Sequence, residues 1–171
     1  GRYVVSSGPP VHVSATCTVV TAVDLKASGG DRRVALKKMM HRGQFLQEVL
    51  ARRLPGGAAF DPRKVVGVEG GHCPEDGAAA VEADSGLAAE PEHTGTTGSG
   101  GGGGGGDGYP YVLVMPQGER SLHAVIASER VAGVAPAEVV DILRDVAGAL
   151  AELHAKNTVH GDVKPRNVLR L

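Results

Sequence analysis

The chain has 171 residues, 42% of them hydrophobic, and a formal net charge of −1, which allows one domain with a real core and little more. Its 26 glycines have no three-residue period, which excludes collagen, and no run of about 18 apolar residues exists, which excludes a spanning helix of ordinary hydropathy. Three tyrosines, two phenylalanines, no tryptophan and near-neutral charge argue against a nucleic-acid binder that stacks bases or neutralises phosphates.

In chain order, Tyr3 to Ser6 is short and rich in β-formers, and Val11 to Leu25 is a Val/Thr-rich strand. Ser28-Gly29-Gly30-Asp31 is a turn signal, so Val34 to Met39 closes a hairpin. Alternation puts Val34 and Leu36 on one face, and Ala35 and Lys37 on the other. Gln44 to Leu54 has helical spacing, with Phe45, Val49 and either Ala51 or Arg52 on one side, ended by Pro55-Gly56-Gly57. Lys64 to Val68 reads as the fourth strand.

Residues 70–108 hold 14 glycines, seven acids and no Lys or Arg, with Val81 and Leu87 as the only large aliphatics. Such a stretch buries too little apolar surface to offset its ordering entropy, and it is expected to be a disordered, acidic, Gly-rich insertion. The remainder carries 18 basic and 12 acidic residues, a net charge near +6 that the whole-chain figure conceals. After the insertion, Tyr111 to Met115 is a continuous apolar run expected as a buried strand, and Ser121 to Ser128 is a short helix. Pro136 to Lys156 is the clearest helix: Pro136 suits its first turn, Asn157 suits its end, and Val139, Ile142, Leu143, Val146, Leu150 and Leu153 form a stripe expected to be core. Val168 to Leu171 is expected as a last strand. The order of strands, helix, strands and helix is that of an α+β fold. Cys17 and Cys73 are too few and too separated for a disulfide framework or a zinc site, which suits a reducing, cytoplasmic compartment. No secretory signal pattern is present at the start of the chain.

Chemistry concentrates directly after the long helix, in Val159-His160-Gly161-Asp162-Val163-Lys164-Pro165-Arg166-Asn167-Val168-Leu169. The pattern H-x-D-x-K-x-x-N resembles the catalytic loop of the protein-kinase family, and the lysine two positions after the aspartate is closer to serine/threonine kinases than to tyrosine kinases. Val34-Ala35-Leu36-Lys37 is similar to that family's V-A-x-K strand. The resemblance implies a kinase-like N-lobe, a five-stranded antiparallel sheet with one helix, followed by the beginning of a helical C-lobe. Residues 1–69 would then be the first part of the N-lobe, 70–108 the insertion, 109–118 the last N-lobe strand and hinge, and 119–171 a partial C-lobe.

It further implies ATP and Mg2+ as cofactors and a protein hydroxyl as substrate. Asp162 would take the hydroxyl proton, Lys164 would neutralise the transferring phosphate, and Asn167 would bind magnesium. Lys37 would grip the α- and β-phosphates, paired with Glu48, or with no acid if the helix aligns on Leu54 and places Gln47 there. Val19, Ala35 and Leu169 would enclose the adenine, Met115 would stand at the gatekeeper position, and Pro116 to Gly118 would form the hinge. His160 would have a packing role and no metal.

Four departures from the family pattern are visible. In place of G-x-G-x-x-G, residues 8–19 keep only Gly8 and add Pro9 and Pro10, which lack backbone donors. Lys37 and Glu48 are 11 residues apart, a short interval for the family. Gly161 replaces the arginine that would hold a phosphorylated activation loop. No D-F-G or A-P-E occurs within the 171 residues, so this chain alone is expected to be a fragment without transfer activity. Two alternatives stand beside the kinase: a small-molecule phosphotransferase of the aminoglycoside type, whose H-G-D-x-x-x-x-N loop also matches residues 160–167, and an inactive pseudokinase that acts as a binding module.

Overall fold

A computed structural model of the chain describes residues 1–28, 32–54, 59–74 and 108–170. Six strands form one antiparallel sheet: β1 (Tyr3–Val5), β2 (His12–Val13), β3 (Cys17–Asp24), β4 (Arg32–Met39), β5 (Gly70–His72) and β6 (Tyr111–Pro116). The order is β1-β3-β4-β6-β5, with β2 also beside β3. The helices are α1 (Arg42–Leu50), α2 (Leu122–Glu129), α3 (Val131–Val134) and α4 (Pro136–Ala155). A second, two-stranded sheet pairs β7 (Arg120–Ser121) with β8 (Leu169–Arg170), and a single 3-10 turn, Pro165–Asn167, precedes β8. The α+β class is as expected. Among the described residues, however, the large sheet has six strands rather than five.

One local feature accounts for the extra strand, and a second displaces another. The Val/Thr-rich run expected as one strand over 11–25 is two, because Ser14 turns the chain. Its backbone N–H donates to the Cys17 carbonyl (2.8 Å), and its Oγ accepts from the Cys17 N–H (3.1 Å). A serine hydroxyl that bonds local backbone in this way builds a turn without glycine or proline. The fourth strand is not at Lys64 to Val68. Asp61 nucleates a turn there, its carboxylate accepting from the Arg63 N–H (3.0 Å) and its carbonyl from Lys64 and Val65. Pairing with β6 begins only at Glu69, whose N–H donates to the Val114 carbonyl (2.8 Å). Strand β5 therefore lies inside the stretch expected to be a disordered insertion. Residues 75–107 of that stretch lie outside the described residues, as do 29–31, 55–58 and 171.

Strand register assigns the faces. Cys17, Met39 and Tyr111 form one cross-strand row, Val19, Lys37 and Leu113 the next, and Thr21, Ala35 and Met115 a third. Since side chains alternate along a strand, all nine share one face. α1 packs on that face: Phe45 and Val49 join Cys17, Met39, Cys73, Tyr111 and Leu113 in the larger core cluster. The opposite face carries a smaller cluster of Ala22, Val34, Leu36 and Val114, flanked by Tyr3, Val20 and Val112. β1 is locked to this sheet by Arg2, which donates to both oxygens of the buried Asp24 at 2.7–3.1 Å.

In the second half, α4 starts with Pro136 at N1 and ends at Ala155, with Lys156 as its C-cap and Asn157 just beyond. Asn157 takes a left-handed φ of 54°, its N–H donates to the His154 carbonyl, and the Thr158 N–H donates to the Leu153 carbonyl. This is a Schellman cap, which satisfies two otherwise orphaned carbonyls. The apolar stripe of α4 differs from expectation. Only Leu153 is buried, Val139, Ile142, Val146 and Leu150 are half-buried, and Leu143 is exposed. α3 and the 59–61 segment both contact this helix. Lys156 donates to the Ala59 carbonyl (2.6 Å), lies 5.1 Å from the centre of the Phe60 ring, and pairs with Glu152. Glu152 in turn accepts from the Asp61 N–H (3.2 Å).

Candidate functional site

The sequence-predicted residues fall into three groups. The first lies on the α1 side of the sheet. Val19 and Lys37 are cross-strand partners, and Ala35 and Met115 are partners in the adjacent row, so all four share a face. From α1, Glu48 reaches down to Lys37, whose Nζ donates to Glu48 Oε1 at 2.6 Å. Helix spacing explains why Glu48 is the partner and Gln47 is not. Phe45 and Val49 bury one side of α1, Glu48 stands at that side's edge, and Gln47 is exposed.

Glu48 is also held by Arg52, whose Nη1 donates to Glu48 Oε2 (2.7 Å) and to the Glu48 carbonyl (2.8 Å), while its Nε donates to the Val66 carbonyl (3.3 Å). Burial pushes the Glu48 carboxyl up, but Lys37 and then Arg52 outweigh it and hold the pKa below the usual glutamate value. Arg52 has no part in the sequence-level site. The signal that could have found it is its place four residues after Glu48, one helical turn on.

The second group is the segment after β6. Gly118 packs directly on Leu169: a methyl group at Gly118 would stand 3.0 Å from Leu169 Cδ1. This contact is fixed by the small sheet, where the Glu119 N–H donates to the Arg170 carbonyl and the Leu122 N–H donates to the Val168 carbonyl, both at 2.8 Å. Glu129 fastens the same place by bonding Arg170 through two contacts of 3.1 Å and Arg120 at 2.7 Å. A cavity of about 270 Å³ opens beside Gln117, lined by Ser6, Thr21, Val23 and Arg33.

The third group is the loop between α4 and β8. Asp162 Oδ2 accepts from Lys164 Nζ (2.6 Å) and from Asn167 Nδ2 (3.0 Å). Asn167 Nδ2 also donates to the Asp162 carbonyl (2.9 Å), and the Asp162 N–H donates to His160 Nδ1 (3.2 Å). The hydrogen bond from Lys164 is the main cause that holds the Asp162 carboxyl below the usual aspartate range; burial opposes it, and the Asn167 hydrogen bond adds to the lowering. The loop can close this tightly because Gly161 takes φ +73°, which an L side chain resists. All three expected catalytic residues are thus brought together. Among the described residues no hydrogen bond or ion pair joins them to Lys37 or Glu48.

As to cofactors, no group of three or more His, Cys, Asp or Glu side chains among the described residues could hold a metal ion alone. Asn167 keeps Oδ1 free of hydrogen bonds there, so one neutral oxygen ligand is available beside the Asp162 carboxylate. That set suits a magnesium ion whose remaining ligands are phosphate oxygens and water. Several backbone donors of the 8–14 segment are used internally or absent. Val11 and Ser14 donate to the Val19 and Cys17 carbonyls (2.8 Å each), and Pro9 and Pro10 have none to give. No helix among the described residues is long and apolar enough to cross a membrane.

Neither protein-family models nor curated protein sequences match the chain.

Proposed function

We propose that this chain is part of an ATP-dependent phosphotransferase of the serine/threonine protein-kinase type. The observation that carries the reading is the closed constellation of Asp162, Lys164 and Asn167, three residue types that phosphoryl transfer requires, within hydrogen-bonding distance of one another. The Lys37–Glu48 pair supports it independently, since a strand lysine held by a helix glutamate is a ready grip for phosphates.

In this reading Lys37 holds the α- and β-phosphates. Val19, Ala35, Met115 and Leu169 enclose the base, and Gly118 lets the hinge pack directly on Leu169. The oxygen of a protein hydroxyl attacks the γ-phosphorus, the bond to the β–γ bridging oxygen breaks, and ADP leaves. Asp162, a carboxylate at neutral pH, orients the hydroxyl and receives its proton. Lys164 neutralises charge on the moving phosphoryl group. Magnesium, held by Asn167 and the phosphates, would supply further charge neutralisation.

The left-handed backbone at Gly161 favours a second reading, a small-molecule phosphotransferase with an H-G-D loop, because glycine is the residue this φ selects.

The test is titration calorimetry of the 171-residue chain with Mg·ATP. Saturable binding is expected, weakened at least about tenfold by Lys37→Met, the loss of one charge-assisted phosphate contact. Absence of binding, or equal binding by Lys37→Met, would overturn the proposal. Among binders, a protein hydroxyl substrate and a small-molecule acceptor are then separated by which of them alters ATP affinity.

A further inference from the structure

The Lys37–Glu48 pair is not alone. Arg52 meets the second oxygen of Glu48 at 2.7 Å while Lys37 meets the first at 2.6 Å, so one carboxylate lies between two cations. A lysine–glutamate pair is neutral in sum, whereas this triad carries a net charge of +1. We propose that Arg52 is a positioning residue for the phosphate grip: it holds Glu48 and supplies the charge that leaves Lys37 attractive to a nucleotide's phosphates. The inference rests on the phosphotransferase reading above and deepens it.

Three observations carry it. First, Arg52 is fixed on its far side. Its Nη1 also bonds the Glu48 carbonyl and its Nε bonds the Val66 carbonyl, so the guanidinium is braced against backbone and cannot swing out to solvent without losing both. Second, all three side chains are mostly shielded, at 19%, 24% and 25% exposure for Lys37, Glu48 and Arg52. Their charges are therefore less screened than surface charges. Third, the loop that would bind phosphate through backbone N–H groups in this reading has fewer of them to offer. Pro9 and Pro10 lack donors, and Val11 and Ser14 are bonded into β3. With those donors absent or used, charge carries more of the hold on an anion, and the triad has a net positive charge to offer.

Charge and structure give different expectations for the same variants. Arg52→Gln makes the triad neutral and Arg52→Lys keeps +1. Combining Glu48→Gln with Arg52→Gln restores +1, and the new side-chain amide oxygen at position 48 can still accept from Lys37. Titration calorimetry with Mg·ATP, at low and at raised salt, reads affinity, and thermal unfolding of each variant reads integrity. Arg52→Gln is expected to bind about tenfold more weakly than wild type and with a shallower salt dependence. Arg52→Lys is expected to bind within about threefold of wild type, and the double variant to regain at least about threefold over Arg52→Gln.

Wild-type binding left unchanged by Arg52→Gln would overturn this proposal alone. So would failure of both Arg52→Lys and the double variant to recover affinity, which would mark Arg52 as a brace for Val66 and nothing more. If Arg52→Gln does not fold, Arg52→Lys decides: binding within about threefold of wild type supports the proposal and a larger loss overturns it. No binding by the wild type would overturn the phosphotransferase reading and this inference with it.

Discussion

Two glycines show how the same residue type serves opposite ends. At Gly71 in β5 a Cβ would meet the Phe45 ring at 3.1 Å and the Val112 carbonyl at 3.3 Å. The strand is glycine because an aromatic ring and a backbone oxygen already fill the space. Gly43, in the first turn of α1, has nothing within 4 Å of a Cβ. Gly71→Ala is therefore expected to cost about 1–3 kcal/mol through overpacking, and Gly43→Ala to gain about 0.4–1 kcal/mol by restricting the unfolded chain. Denaturant midpoints of the two variants should move in opposite directions. A second test at this scale is pH. Hydrogen bonds from Arg2 hold the buried Asp24 below the usual aspartate range against an opposing burial effect, with the Lys26 N–H assisting. A carboxyl depressed in the folded state contributes stability that is fully present above its unfolded value, near 3.9, and is lost as pH falls through the folded value. Asp24→Asn should be less stable than wild type at pH 7, and the gap should close as pH drops below about 4. A gap that stays constant down to pH 2 would show that the ion pair contributes nothing.

At the scale of elements, what could be read from the sequence was what is local. The Asp162–Lys164–Asn167 loop spans six residues, so its side chains meet as soon as the chain turns once. The Lys37–Glu48 pair was implied by the family resemblance, with Gln47 as the other alignment, and only the packing of Phe45 and Val49 decides between them. The cap of α4 was also visible, and it can be tested. Asn157 holds φ 54° at the position after the helix, so Asn157→Gly should be neutral or slightly stabilising, whereas Asn157→Ala should cost about 1–2 kcal/mol. Equal midpoints for the two variants would show that the left-handed residue is not what ends α4. What the sequence hid was non-local. β5 looked like linker because its Gly71 serves a contact with Phe45, 26 residues earlier in the chain, that no local window contains. β2 and β3 looked like one strand because the turn between them is made by a single serine side chain. Arg52 looked like any arginine near a helix end until Val66 and Glu48 were placed around it.

For the whole molecule, the telling feature is the connection from β5 to β6. The two strands are antiparallel neighbours, with His72 opposite Val112 and Gly71 opposite Leu113, so their facing ends need only a short turn. The chain instead inserts residues 75–107, which contain all seven acids of the Gly-rich stretch. If those residues take no part in the sheet, replacing them with a turn of about five residues should stabilise the protein by roughly 1–2 kcal/mol, the loop-closure entropy saved between about 33 residues and five. The same deletion moves the net charge from −1 to +6, because 18 basic residues remain against 12 acidic ones. The variant should therefore be retained on a cation exchanger at pH 7 where the parent is not, and its affinity for Mg·ATP should rise at low salt and converge with the parent's as salt screens the field. A lower unfolding midpoint would show instead that the acidic segment packs on the body, and equal affinities at low salt would show that its charge does not reach the Lys37 grip.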